Sequence, residues 1–396
     1  MADRGTQTGV SEPTRLAAVG VLALSLLVVT AGGRLIGSSA EATTSPGAGS
    51  DTDPLSQATA ASNPAMAVEL ADTALEQWPE ATVEVPVPVP RERLVINGVG
   101  DVNVDPGYIP AFRTTGYEHA LAGLDGLFLE DDLSVINLEC PLTDIGAPVP
   151  KQFRFQCDPN ALVPLREAGV EVANQGNNHV LDYGPDAMLD SIRRLRSGGI
   201  APVGAGPDAT AAHEPALFEI NGWTVAVVGF GGVVPAASWI AADDRPGMAD
   251  GDTIETMVAA VEAADEVADI VVVTIHWGAE LQSGPPADDV ARAEAMVAAG
   301  ADAVFGHHAH RLNALEMVGG RPVAWSLGNF VWPRLSAAGS DTAVAQVIIE
   351  PDGRILACLI DVTIVSDGHP TLDDPAYRQC DPDDPRTLSG PGPDAP

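Results

Sequence analysis

Lysine is almost missing from this 396-residue chain. Lys151 stands alone, and Lys plus Arg total 20 against 55 Asp plus Glu, for a net charge of −35. That balance excludes a protein that wraps nucleic acid on a basic surface, because phosphate binding needs a positive footprint. It also leaves no G-x-x-x-x-G-K-[ST] loop to cradle a nucleoside triphosphate. Cysteine is scarce and no C-x-x-C pair occurs, which argues against a thiolate metal cage. A wholly disordered chain is excluded by the 45% of residues that are apolar, enough to bury the core of one large domain or two small ones. So acidic a surface repels polyanions, and an anionic substrate requires a local source of positive charge.

Long apolar runs are equally few. Leu16 to Gly33 is eighteen uncharged residues, the short end of a bilayer span, with Arg4 and Arg15 on its N-terminal side. Residues 1–34 therefore read as an export signal or a single-pass anchor that leaves the rest outside the cell membrane. The small-x-small site Ala40-Glu41-Ala42 lies well beyond the run, which favours an uncleaved anchor over a secreted form. Residues 35–90 are a Ser/Thr/Ala/Pro-rich linker, expected to be disordered and ending in Val-Pro-Val-Pro-Val-Pro, with Asn63-Pro64 as a cap for a short helix through Trp78. Residues 366–396 form an acidic, Pro-rich tail expected to be disordered beyond Cys380. In an exported chain the four cysteines read as disulfides. Proximity favours Cys140 with Cys157 and Cys358 with Cys380 among three pairings.

Residues 91–365 alternate short β-branched runs with helical stretches, the pattern of an α/β domain. Asn221-Gly222 and Pro351-Asp352-Gly353 predict hairpins over Ala216 to Phe230 and Ala343 to Val365, and a helix is expected from Pro185 to Arg196. Five apolar runs end in polar residues. Leu94-Val95-Ile96 leads through Gly98 and Gly100 to Asp101 and Asn103; Leu133 to Ile136 leads to Asn137 and Glu139; Val170 to Ala173 opens onto Asn177, Asn178 and His179. Ile270 to Ile275 ends at His276, and Ala303-Val304-Phe305 ends at His307, His308 and His310. Open α/β sheets build their sites at these carboxyl ends.

A single strand-end Asp more often caps a helix, and a single His is more often structural than a ligand. Together the picture changes. Two carboxylates, an amide and several imidazoles would compete for few donors unless a cation joined them. Nitrogen and oxygen donors without thiolate suit Mn, Fe or Zn, and about seven donors are too many for one tetrahedral ion but suit two ions bridged by a carboxylate. Such ions would supply the positive charge that the surface lacks.

Gly100-Asp101, Asn137-Leu138-Glu139-Cys140-Pro141-Leu142, Asn177 to Gly184, His276-Trp277-Gly278, Gly306 to His310 and Ser326 to Phe330 together resemble the CapA-like proteins of capsule and poly-γ-glutamate synthesis, within the calcineurin-like metallophosphoesterase superfamily. The likeness covers about Leu94 to Phe330. It implies a metallophosphoesterase-like sandwich of two mixed β-sheets flanked by helices. It implies Asp101 and His310 on a first ion, Glu139 bridging, and Asn178, His276 and His308 on a second, with His179 over the substrate as proton donor or charge stabiliser. Two departures from the superfamily stand out: Asn103 replaces the usual His of the first site, and Asn-Leu-Glu replaces Gly-Asp at the bridge.

Lys151 is a candidate to hold an anionic substrate group, with Phe153 and Phe155 as its neighbours on an edge strand being the alternative. Asp182 either orients His179 or caps the helix at Pro185, and Asn329 either reaches the site or closes a turn. His119, His213 and His369 receive no role.

The leading functional reading is an extracytoplasmic metal-dependent hydrolase in which activated water attacks an ester or amide centre of a phosphoester or anionic polymer. A non-catalytic, metal-containing accessory protein that binds the polymer during assembly or export, beside other capsule-synthesis proteins, is the alternative. A degenerate site that keeps only the fold is a third, and Asn103 keeps it open.

Overall fold

The computed structural model describes residues 89–392, so the expected anchor, the linker through residue 88 and its short helix lie outside the described residues. Among the described residues no helix is long and apolar enough to cross a membrane.

Three strands begin the fold: β1 (Leu94–Val102), β2 (Leu133–Leu138) and β3 (Val172–Asn174). They run parallel and, with Ala201–Val203, form one half of a nine-stranded sheet. Its other half is antiparallel, with Asp341–Ile349 pairing β1 and Ile355–Ile364 pairing Asp341–Ile349. A second, six-stranded sheet has a parallel centre of Trp223–Gly231, Ile270–His276, Ala303–His307 and Arg321–Ala324 with an antiparallel strand at each edge. Both sheets are mixed.

Alternation along the strands explains the layering, because successive side chains point to opposite faces. Leu94, Ile96, Val135, Val172, Val225, Val227, Ile270 and Val272 meet in one core between the sheets. Val95, Val99, Ile136 and Ala173 point the other way, and so do Val228, Val271 and Val273 of the second sheet. The Ile254–Asp265 and Ala287–Ala298 helices contribute Met257, Val261, Ala293 and Met296 to the second sheet's outer core. The expected two-sheet sandwich with helices outside is the architecture of the described chain.

Both hairpins form, at Ala216–Ile220 with Trp223–Gly231 and at Asp341–Ile349 with Ile355–Ile364. The helix spans Pro185–Gly198, and the disulfides are Cys140–Cys157 and Cys358–Cys380.

As expected, the first run leads through Gly98 and Gly100, and β1 continues to Val102. A Cβ at Gly98 would come within 2.4 Å of the Phe305 ring, and one at Gly100 within 2.1 Å of Gly328 O. These glycines mark close approach of neighbouring groups. Two expectations need correction. The tail is not disordered throughout beyond Cys380, because Leu388–Gly390 pairs with Ile355–Ile364, as Pro370–Leu372 does before Cys380. Leu372 and Cys380 are buried. Edge pairing uses backbone groups and one disulfide, so it needs none of the apolar periodicity that the segment lacks. Finally, Lys151, Phe153 and Phe155 lie in a loop, not an edge strand.

Candidate metal centre

Parallel registry brings the polar strand ends together. Asp101 is opposite Asn137 and Asn329, Asn137 is opposite Asn174, and in the second sheet His276 is opposite His307. Asp101 Oδ1 accepts from Asn137 Nδ2 at 2.8 Å, while Oδ2 lies 3.1 Å from His310 Nδ1 and accepts from the His308 N–H at 3.3 Å. Asn137 Nδ2 also lies 3.1 Å from His276 Nδ1, and Asn178 Oδ1 lies 3.1 Å from His276 Nε2.

Two sets of donors result. Glu139, His276 and His308 each offer a ligand atom within 4.8 Å of the others, and so do Asp101, Glu139 and His310. Glu139 belongs to both. Its carboxylate is fully buried, and neither oxygen has a hydrogen-bond partner. The nearest imidazole nitrogens, on His276 and His179, stand 3.6 and 3.8 Å away, beyond hydrogen-bonding distance. A buried carboxylate stripped of water and donors costs several kcal/mol unless a positive charge replaces them. The Nδ1 of His308 is likewise buried without a partner. This donor set fits a transition-metal cation on its own chemistry.

The loop after the Ala303–His307 strand holds its imidazoles at a cost. His308 and His310 have φ of 82° and 51°, positive values that residues other than Gly seldom adopt, His being with Asn and Asp among the more tolerant. Such strain costs on the order of 1–3 kcal/mol per residue and persists where surroundings impose it. His307 faces elsewhere, its Nε2 lying 2.9 Å from Thr274 Oγ1. It belongs to neither donor set.

Protonation follows the charges. Burial raises Glu139 well above the usual carboxylate range, and the charge of Asp101 raises it further. Burial opposes ionisation of Asp101 too, but the hydrogen bond and charge of His310 hold it below its ordinary value. Burial pulls His310 down; Glu139 and Asp101 outweigh it and push the imidazole up to about 9. His276 is held well below the usual range and His308 falls to about 4, through burial and then the neighbouring imidazoles. Two neutral imidazoles therefore stand ready as ligands, and one imidazolium balances the acids.

His179 borders the cluster. Its Nδ1 lies 2.6 Å from Asp182 Oδ2, and its Nε2 turns toward Glu139. Phe155 packs on its ring with centroids 4.3 Å apart, and Trp332 packs on His310 at 4.9 Å. Asp182 does not cap the helix, whose N-cap is Gly184 without a side-chain bond.

The remaining candidates are already engaged. Lys151 Nζ donates to Asp182 Oδ1 at 2.9 Å and to Asn178 O. Asn329 Oδ1 lies 2.8 Å from His310 Nδ1, and its Nδ2 donates to Gly339 O. Asn103 Oδ1 accepts from the Asp105 N–H at 2.8 Å, leaving the non-ligating amide nitrogen buried without a partner. The sequence reading noted Asn137 at a strand end but gave it no role in the site. Its parity with Val135 on β2, two residues before Glu139, was the available signal.

Residues 95–334 match the family described as "Bacterial capsule synthesis protein PGA_cap". The chain belongs to this family. The PGA_cap match spans Asp101 through Asn329 and so contains every residue of both donor sets. The PGA biosynthesis protein CapA of Bacillus subtilis is 30% identical over 258 residues, covering 64% of this chain and 67% of the relative. A "Probable polyglutamine synthesis accessory protein" of Mycobacterium tuberculosis is 31% identical over 210 residues, 50% of this chain and 55% of the relative. Among solved structures, the NAD nucleotidase of Haemophilus influenzae covers 72% of this chain and 54% of its own at 13% identity. Its TM-score of 0.39 is too low to bear on the reaction.

Proposed function

We propose that this PGA_cap chain is a metal-dependent hydrolase, anchored by residues 16–33 with its globular part outside the cell, that acts in synthesis or export of a capsule or poly-γ-glutamate polymer. Glu139 carries the reading: a buried carboxylate shared by two donor sets and bonded to nothing. Asp101, Glu139 and His310 would hold one ion, and Glu139, Asn178, His276 and His308 a second, of Mn, Fe or Zn. When bound, such ions supply positive charge for an anionic ester or amide and make water nucleophilic near neutral pH.

The chain's own groups do the rest. Asp182 fixes the His179 ring so that the unprotonated Nε2 faces the centre, placed to take a proton from the attacking water and return it to a leaving group. Burial first, and Lys151 with it, keep His179 below its usual pKa despite Asp182, so the resting imidazole is neutral. Asn137 orients Asp101 and His276 together, and Asn329 orients His310. Lys151 and Asn329 as direct substrate contacts, and Asn103 as a ligand, draw less support, because each is already bonded within the protein.

The test is hydrolysis of phosphodiester and phosphomonoester substrates, and of poly-γ-glutamate, with Mn or Zn added. Activity that disappears in Glu139→Gln and His276→Ala with folding intact supports the hydrolase. The accessory reading is favoured by Asn103, which leaves the first ion with fewer donors, and by the printed description of the mycobacterial relative. Polymer binding without turnover under any metal would establish it instead.

A further inference from the structure

His119 and His369 were given no role by the sequence, yet both rings close on one carboxylate. His119 Nε2 lies 2.7 Å from Asp367 Oδ2, and His369 Nδ1 lies 2.7 Å from Asp367 Oδ1. The imidazole centroids are 4.0 Å apart. All three side chains are partly exposed, and each offers a ligand atom within 4.8 Å of the others. His119 sits in the short helix Tyr117–Leu124, whereas Asp367 and His369 belong to the turn before Pro370–Leu372. The PGA_cap match ends at residue 334, so two of the three lie beyond it.

We propose that His119, Asp367 and His369 form a second, peripheral divalent-cation site that takes zinc. Two imidazoles and one carboxylate on a partly exposed surface supply three ligands of the kind zinc prefers and leave a fourth position for water. Hard cations such as magnesium and calcium prefer all-oxygen ligands. The ion would clamp segments 248 positions apart, as the His119–Asp367 contact already does.

The clamp has a route to the main centre. Gly368 O, inside the turn, accepts from the Trp332 N–H at 3.0 Å, and the Trp332 ring rests on His310. Zinc at the periphery would hold the turn, and with it the aromatic wall beside one of the candidate ligands. The assignment stands on its own residues and does not depend on hydrolysis at the main centre.

The full chain, stripped with chelator and titrated with zinc chloride alone, tests it. One fewer zinc should bind to His369→Ala and to His119→Ala than to wild type, while Glu139→Gln should keep the peripheral equivalent. Unchanged zinc stoichiometry in both histidine variants would overturn the proposal. If either variant fails to fold, zinc-soaked wild-type crystals decide. A zinc-edge anomalous peak about 2.0–2.2 Å from the three side chains supports the site, and its absence overturns it.

Discussion

Asp182 accepts from His179 Nδ1 at 2.6 Å with one carboxylate oxygen and takes Lys151 Nζ at 2.9 Å with the other, so the only lysine of an acidic chain sits beside the His that faces the buried acids, its Nζ 3.1 Å from the same Nδ1. The Phe155 N–H donates to the same Oδ2 at 2.9 Å, so the Asp182 carboxylate is held from three sides.

Lys151 helps to hold His179 below its usual pKa, after burial and against Asp182. Lys151→Met should therefore raise the His179 pKa, read from the imidazole proton shifts in an NMR titration. Asp182→Asn should lower it and reduce any hydrolysis about tenfold or more. A His179 pKa that moves the other way in Lys151→Met would refute this account of the triad.

Removing the charge of Glu139 should uncouple metal from stability. Ligand at a hundredfold excess over its Kd stabilises by about 2.7 kcal/mol. The rise in Tm that Mn or Zn gives the wild type should vanish in Glu139→Gln. The metal-free variant should melt within a few degrees of metal-free wild type, because burial and then Asp101 raise the Glu139 carboxyl well above its usual pKa, so the amide replaces an acid that already favours its neutral form. Scanning calorimetry with and without metal distinguishes the two contributions.

His310 sets the pH dependence of the metal-free protein. Its folded pKa lies above the ordinary 6.5, at about 9, so its contribution to stability is fully present below pH 6.5 and is lost as pH rises through 9. The shift corresponds to roughly 3–4 kcal/mol. Metal-free wild type should lose that stability across this window, and His310→Gln should flatten the loss. Metal binding must displace the same proton, so apparent affinity should climb with pH over the same interval. Urea denaturation at successive pH values measures the first, and metal titration the second.

The Cys140–Cys157 disulfide follows directly on Glu139 and ties it to the loop after Lys151, with the Val104 N–H directed at Cys157 Sγ. Cross-linking 17 positions apart is worth about 3 kcal/mol in the chain-entropy account. Cys140→Ala with Cys157→Ala should lower Tm and weaken metal binding. Cys358→Ala with Cys380→Ala should lower Tm and leave metal affinity unchanged, since that pair secures the far edge strands.

Most of the sandwich was legible because its strands are apolar runs closed by Asn-Gly and Asp-Gly turns, and because the polar residues at their ends occur in a specific order. Asp101 shows why the site was less so. Val95, Val99 and Val102 all join the outer core, an odd step from Val99 to Val102 that breaks simple alternation. The register shift between Gly98 and Asp101 turns Asp101 away from that face. Local alternation alone would have pointed it the wrong way. His307 and His308 are adjacent in sequence, and only the left-handed backbone at His308 separates a Thr274 partner from a candidate ligand. The paired strands after Val365 depend on backbone bonding and a disulfide, neither of which leaves a hydropathy pattern.

Elemental analysis of the full chain purified without chelator, wild type beside Glu139→Gln and His276→Ala, tests the metal centre most directly. The account predicts at least two equivalents of Mn, Fe or Zn in the wild type, two fewer in Glu139→Gln and one fewer in His276→Ala. A wild-type chain without transition metal, or metal content indifferent to Glu139, would contradict it.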